Sequence, residues 1–200
     1  MRAGLLLLWL LWCVPVAGEQ VYKAAATHQQ GSFIVEVDAL LDAGEATVRS
    51  LLTDYAQLGR LNPAVEHSEI VETREPGDVR VRVVAQTCLW FYCRRFERVQ
   101  DIVEAHDGSI TAVVIPELSD FSHGFQRFNL WQETAGTRLL MRAELTPDFW
   151  IPPLIGPWLL ERELRSQALE TVRNLERVAA QTSLPHNTSP GGGVLAQGSH

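Results

Sequence analysis

WLLERELRSQALETVRNLERVAAQ, residues 158–181, contains neither proline nor glycine and carries Leu160, Leu164, Ala168, Val172, Leu175 and Ala179 at steps of three and four. That spacing puts all six on one face of a helix. Glu161, Arg165, Glu170, Arg173, Glu176 and Arg177 occupy the other face. The stretch predicts an amphipathic helix roughly 35 Å long. A stripe of that length must be buried on another layer, and a sheet is the layer available.

The chain upstream supplies the sheet. GSFIVEVDAL, residues 31–40, alternates Phe33, Val35 and Val37 with Ile34, Glu36 and Asp38, the period of a strand. Val48, Leu51, Leu52, Tyr55 and Leu58 then fall at helical spacing, ahead of the breakers Gly59 and Pro63. This predicts one short helix or two separated by a kink. Six further strands follow at Val65–Thr73, Val79–Cys88, Phe91–Glu104, Ser109–Ile115, Phe121–Gln132 and Thr137–Leu145. Pro76 with Gly77, Asp107 with Gly108, and Ala135 with Gly136 mark tight turns between them. The expected fold is α+β: a curved antiparallel sheet of six or seven strands wrapped on a long C-terminal helix, with two short helices after the first strand.

The two ends are of a different character. Met1 and Arg2, the apolar run Leu5–Val16 and the small residues Ala17 and Gly18 make a secretory signal, with cleavage expected near Gly18. An uncleaved anchor is the alternative, although the run is shorter than the roughly 20 residues a spanning helix needs. Cys13 belongs to this segment. Residues 183–200 are rich in Gly, Pro, Ser and Asn and read as a disordered tail. One domain is expected over 19–182. The formal net charge of -7 argues against a nucleic-acid partner.

Export leaves Cys88 and Cys93 as an even pair in an oxidising compartment, so a disulfide is expected. Zinc is the competing reading, and a lone pair at this spacing is weak for it. If the cysteines face each other, the hairpin pairs Val79 with Ile102, Val81 with Gln100, Val83 with Arg98, Ala85 with Phe96 and Thr87 with Arg94 on one mostly apolar face. Arg80 with Asp101 and Gln86 with Arg95 then look outward, together with the cysteines themselves. A one-residue slip would mix the faces, so this sorting supports the register. Across the Ala135–Gly136 turn, the same exercise places Leu130 with Leu139, Phe128 with Met141, Gln126 with Ala143 and Gly124 with Leu145 on the inner face.

The order of elements, with LLTDYAQLGRLNPAVEHSEIV after the first strand and LRSQALETVRNLERVA closing the domain, resembles the START-like (SRPBCC) helix-grip superfamily, in particular its polyketide cyclase and coenzyme Q-binding branch. The motif Asp54, Tyr55, Leu58, Asn62, Pro63, Val65 carries the likeness, which extends from about Gly31 to Ala180. The resemblance implies a hydrophobic cavity between sheet and helix that holds a lipid, an isoprenoid quinone or a polyketide-like molecule. It implies no particular reaction.

Three polar residues, Arg98, Gln100 and Gln126, fall on the apolar inner faces. An interior charge must meet a partner, a ligand or water. One reading makes these residues the polar end of a ligand cavity walled by Phe96, Phe128, Met141, Leu164 and Ala168. The other lets Arg98 pair with a carboxylate such as Glu117 or reach solvent along its own stem. Ala85, Ala143, Ala168 and Gly124 leave room for a ligand, or equally allow close helix–sheet approach. FWIPPLIGPW, residues 149–158, either packs under the helix start or forms a cavity lip that touches membrane, since tryptophan favours the bilayer interface.

Catalytic signals are thin. No nucleophile elbow, HExxH or paired-cysteine metal motif occurs, and no cofactor or metal is expected. Tyr55, Glu117, Asp120 and His123 are the acid–base candidates. The leading expectation is an exported, periplasmic or extracellular protein that holds a small hydrophobic ligand. The alternatives are a cyclase or dehydrase, and an envelope module that docks a protein through Trp131, Phe125 or the proline-rich loop.

Overall fold

A computed structural model describes residues 20–74, 78–89, 92–151 and 156–183. The expected signal, 1–18, lies outside these residues, as does the expected tail apart from Ser183. The strands are β1 (Gln20–Gln29), β2 (Ser32–Leu41), β3 (Val65–Thr73), β4 (Asp78–Leu89), β5 (Tyr92–Glu104), β6 (Ile110–Val114), β7 (Phe121–Glu133) and β8 (Gly136–Pro147). The helices are α1 (Glu45–Leu52) and α2 (Pro157–Ser183), with 3-10 turns at Tyr55–Arg60 and Pro116–Leu118. All eight strands form one antiparallel sheet in the order β1-β2-β8-β7-β6-β5-β4-β3.

The seven expected strands are present, and β1 is an addition. Its sequence QVYKAAATHQ is alanine-rich and polar, a composition that seldom marks a strand. It is held by a two-residue hairpin in which Gln30 and Gly31 both adopt positive φ, 50° and 88°, which matches the twist of the paired strands. The helical region after β2 is an α-helix followed by a separate 3-10 turn, and non-helical backbone at Gln57 interrupts the latter.

Both expected hairpin registers are formed. Cys88 stands opposite Cys93, Val83 opposite Arg98 and Val81 opposite Gln100. Across β7 and β8, Gln126 stands opposite Ala143 and Phe128 opposite Met141. The cysteines are disulfide-bonded on the exposed side of the hairpin. Pairing continues one step beyond them to Leu89 and Tyr92; Trp90 and Phe91 lie outside the described residues.

The outer face carries cross-strand ion pairs, among them Arg80–Asp101 at 2.8 Å, Arg82–Glu97 at 2.6 Å and Arg95–Glu66 at 2.7 Å. Arg82 holds the Glu97 carboxyl below its usual range, and Arg80 does the same for Asp101. Exposed pairs of this kind add little to stability, because solvent screens them. Their larger effect is on register, because a slip would turn these charges inward.

α2 lies across the inner face unevenly. From Ala168 onward each turn buries a residue, with Ala168, Val172, Leu175, Val178 and Ala179 packed against Leu41, Val48, Leu51 and Leu139. The described residues of its first three turns are half-buried or exposed. Its polar face does more than meet solvent: Glu161 accepts from the His28 N–H at 2.7 Å, and Arg165 donates to the Ala24 carbonyl at 2.9 Å. These are backbone groups on the side of β1 that β2 leaves free. At the far end Gly136, with φ 141°, begins β8; a Cβ there would lie 2.0 Å from the Leu41 carbonyl oxygen.

Candidate functional site

Because the carboxy-terminal half of α2 is packed tightly and the amino-terminal half is not, a cavity of about 300 Å³ remains under the latter. This is the lower end of the range for small-molecule sites. Strand alternation sends Val83, Ala85 and Phe96 into it from β4 and β5, and Phe128, Met141 and Ala143 from β7 and β8. Leu160, Leu164 and Ala168 of α2 close it from above, while Tyr55, Ile102, Ile110 and Leu139 line the end nearest α1. At the opposite end the rings of Phe96, Phe121 and Phe149 pack together, and the Tyr92 hydroxyl donates to the Trp150 carbonyl at 3.1 Å.

The structure brings all eight sequence-selected residues to this cavity: Phe96, Arg98, Gln100, Gln126, Phe128, Met141, Leu164 and Ala168. Gln100 is 4% exposed and makes no side-chain hydrogen bond among the described residues. The Gln126 amide reaches only the Met141 sulfur, at 3.7 Å. Such a contact is weak, since sulfur is a poor acceptor.

Arg98 is the outlier. Protein encloses its guanidinium, and the surface it retains faces the cavity. Burial pulls it down to about 10, so it stays charged at neutral pH. Among the described residues its Nε has no hydrogen-bond partner and Arg98 forms no ion pair. The alternative pairing with Glu117 is not made. Glu117 is exposed in its 3-10 turn, and the next acidic residue, Asp120, accepts from the Glu97 N–H at 2.7 Å and stands 3.6 Å from Arg94.

Of the four acid–base candidates, only Tyr55 lines the cavity. His123 and Glu117 are exposed, and Asp120 is absent from the lining. Burial, with the Glu104 carboxylate nearby, pushes the Tyr55 phenol well above its ordinary value. The phenol is therefore a donor at physiological pH, and its oxygen has no partner in good hydrogen-bond geometry.

Several lining residues escaped selection from the sequence. Arg94 packs over the Phe149 ring, with its guanidinium carbon 4.9 Å from the ring centre. Its inward direction was legible, since the cysteine register pairs it with Thr87 on the inner face. Gln167 donates to Thr87 at 3.2 Å and to Glu163 at 2.9 Å. Glu163 and Gln167 each precede a stripe residue on α2, which was the available signal. Glu163 is the one carboxylate among the described lining residues, and no histidine is among them.

No group of His, Cys, Asp and Glu among the described residues is arranged to hold a metal ion. No described helix is long and apolar enough to cross a membrane. Neither a protein-family profile nor a curated protein matches the sequence.

Solved structures do match in architecture. The Zhui aromatase/cyclase from a Streptomyces species superposes with a TM-score of 0.64 at 14% identity, covering 78% of this chain and 98% of that one. A START superfamily protein from Mycobacterium smegmatis gives 0.58 at 17% identity, covering 75% and 99%. The chain has the START-like helix-grip fold. A STAR-related lipid transfer protein from Xanthomonas axonopodis shares it too, with a TM-score of 0.57, 16% identity and coverage of 79% and 99%. A cyclase and a lipid transfer protein thus share the START-like architecture seen here, and the architecture by itself does not choose between their activities.

Proposed function

We propose that this protein is an exported carrier that holds a small hydrophobic molecule, a lipid or isoprenoid quinone in kind, in the cavity beneath the first half of α2. The observation that carries the reading is the lining itself. It is mostly apolar, and the three buried side-chain polar atoms that lack partners among the described residues, on Tyr55, Arg94 and Arg98, all belong to residues that line it. Buried donors without partners cost roughly 1–3 kcal/mol each, a cost that a ligand bearing acceptors offsets. The Cys88–Cys93 disulfide fits an oxidising compartment.

One experiment tests the reading as a whole. Native mass spectrometry of protein recovered from the extracytoplasmic fraction is expected to show the chain without its first eighteen residues, two hydrogens lighter for the disulfide, and with a bound hydrophobic mass. Full-length, empty protein confined to the cytoplasm would overturn it.

Loading at a lipid surface belongs to the same proposal. Trp150 and Trp158, at 69% and 63% exposed, flank the apolar stretch whose residues 152–155 lie outside the described set. Exposed tryptophans of this kind favour the bilayer interface. Trp150→Ala is expected to lower binding to phosphatidylcholine vesicles by roughly 3- to 10-fold in a sedimentation assay. Unchanged binding would remove the membrane from the scheme.

A further inference from the structure

The geometry points to a hydrophobic carboxylic acid as the ligand, its carboxylate seated on Arg98 and its apolar body lying along Phe96, Phe128, Met141 and Leu164. This rests on the reading of the cavity as a ligand site and narrows it to a chemical class.

The acidic groups around Arg98 are engaged with other partners. Its strand neighbours Glu97 and Asp101 alternate to the outer face, where they hold Arg82 and Arg80. Asp120 is engaged by the Glu97 N–H and by Arg94. Glu163, inside the cavity, accepts from Gln167. Glu104 lies toward Tyr55, at the end nearest α1. Among the described residues none forms an ion pair with this guanidinium, so a ligand carboxylate would be its direct partner.

The kind of anion follows from the count of cations. Arg94 has Asp120 beside it and the Phe149 ring beneath it, whereas Arg98 forms no ion pair among the described residues. One unpaired guanidinium balances one negative charge, which suits a carboxylate better than a phosphate dianion. The hydrogen-bond inventory agrees. The three unmet atoms among the described residues, Arg94 Nε, Arg98 Nε and Tyr55 Oη, all donate, and an ionised carboxylate only accepts. Gln100 is two residues from Arg98 on the same strand face, roughly 7 Å along it, with an amide that no described residue engages. A neutral ester or alcohol of the same length would fill the same apolar space but leave the charge uncompensated.

The test compares matched ligands on the full chain by isothermal titration calorimetry: octanoate, dodecanoate and palmitate, each against its methyl ester. The acids are expected to bind roughly 10- to 100-fold more tightly than the esters, the range for hydrogen bonds to charged groups. Arg98→Met is expected to abolish that preference, and Arg98→Lys to keep part of it, a point charge replacing a fork of donors. Equal affinity of acid and ester for the unaltered protein, a comparison that needs no variant, overturns the acid assignment and leaves the cavity as a site for neutral ligands. A preference that persists in Arg98→Met overturns the assignment to Arg98. No binding of any acid or ester overturns both this inference and the carrier function.

Discussion

Arg98→Met is expected to make the empty protein more stable by about 3 kcal/mol, an unusual direction for a substitution in the interior. Burial alone pulls the guanidinium down to about 10, a penalty on the order of 3 kcal/mol for holding the charge in the folded state. The sign follows directly. A base whose folded value is depressed is charged at a cost everywhere below that value, so the penalty is present throughout the physiological range and is relieved only as pH rises through about 10 and above. Methionine is flexible, removes the charge and fills much of the same volume. Urea denaturation of delipidated protein should show the gain as a higher midpoint with an unchanged slope, and heating as a shift of roughly 6–12 °C. A loss of stability would mean that Arg98 has a partner in the empty state, and the ligand argument would lose its basis. Unaltered protein saturated with its ligand should recover the difference by mass action, as the variant cannot.

Leu175→Ala should act in the opposite direction and by a similar amount, costing about 3–5 kcal/mol. Leu175 is 0% exposed, sits where α2 is packed hardest and also borders the cavity. Truncation removes burial in the core and leaves a void continuous with the ligand space. The same denaturation measurement checks the stability. A binding series checks the void, because longer chains should gain affinity relative to shorter ones. A cost under about 1 kcal/mol with an unshifted length preference would mean that the neighbouring side chains close the gap.

The parts of this fold that were legible in the sequence are those governed by periodicity. The α2 stripe needs only steps of three and four, and the β4–β5 register needs only two cysteines and the sorting of faces they impose. From that register Arg98 and Gln100 could be placed on the inner face. What could not be read was the isolation of Arg98. It depends on the 3-10 turn that carries Glu117 out to solvent and on the bond that ties Asp120 to β5, both consequences of tertiary packing. β1 was illegible for another reason. Alanines and polar residues at an edge have little intrinsic strand preference, and the hairpin and α2 supply the support that composition does not.

The contacts from α2 to β1 have a consequence for how copies of this chain meet one another. An open sheet ends in two rows of unpaired backbone groups, each a template on which a second molecule could add a strand and start a fibril. On the β1 side, Glu161 and Arg165 occupy groups such a strand would need. On the β3 side the ladder is interrupted by register shifts at Val65/His67 and Ile70/Glu72, so an approaching copy meets a twisted, irregular margin. The helix that roofs the cavity therefore also guards one border of the sheet against intermolecular growth.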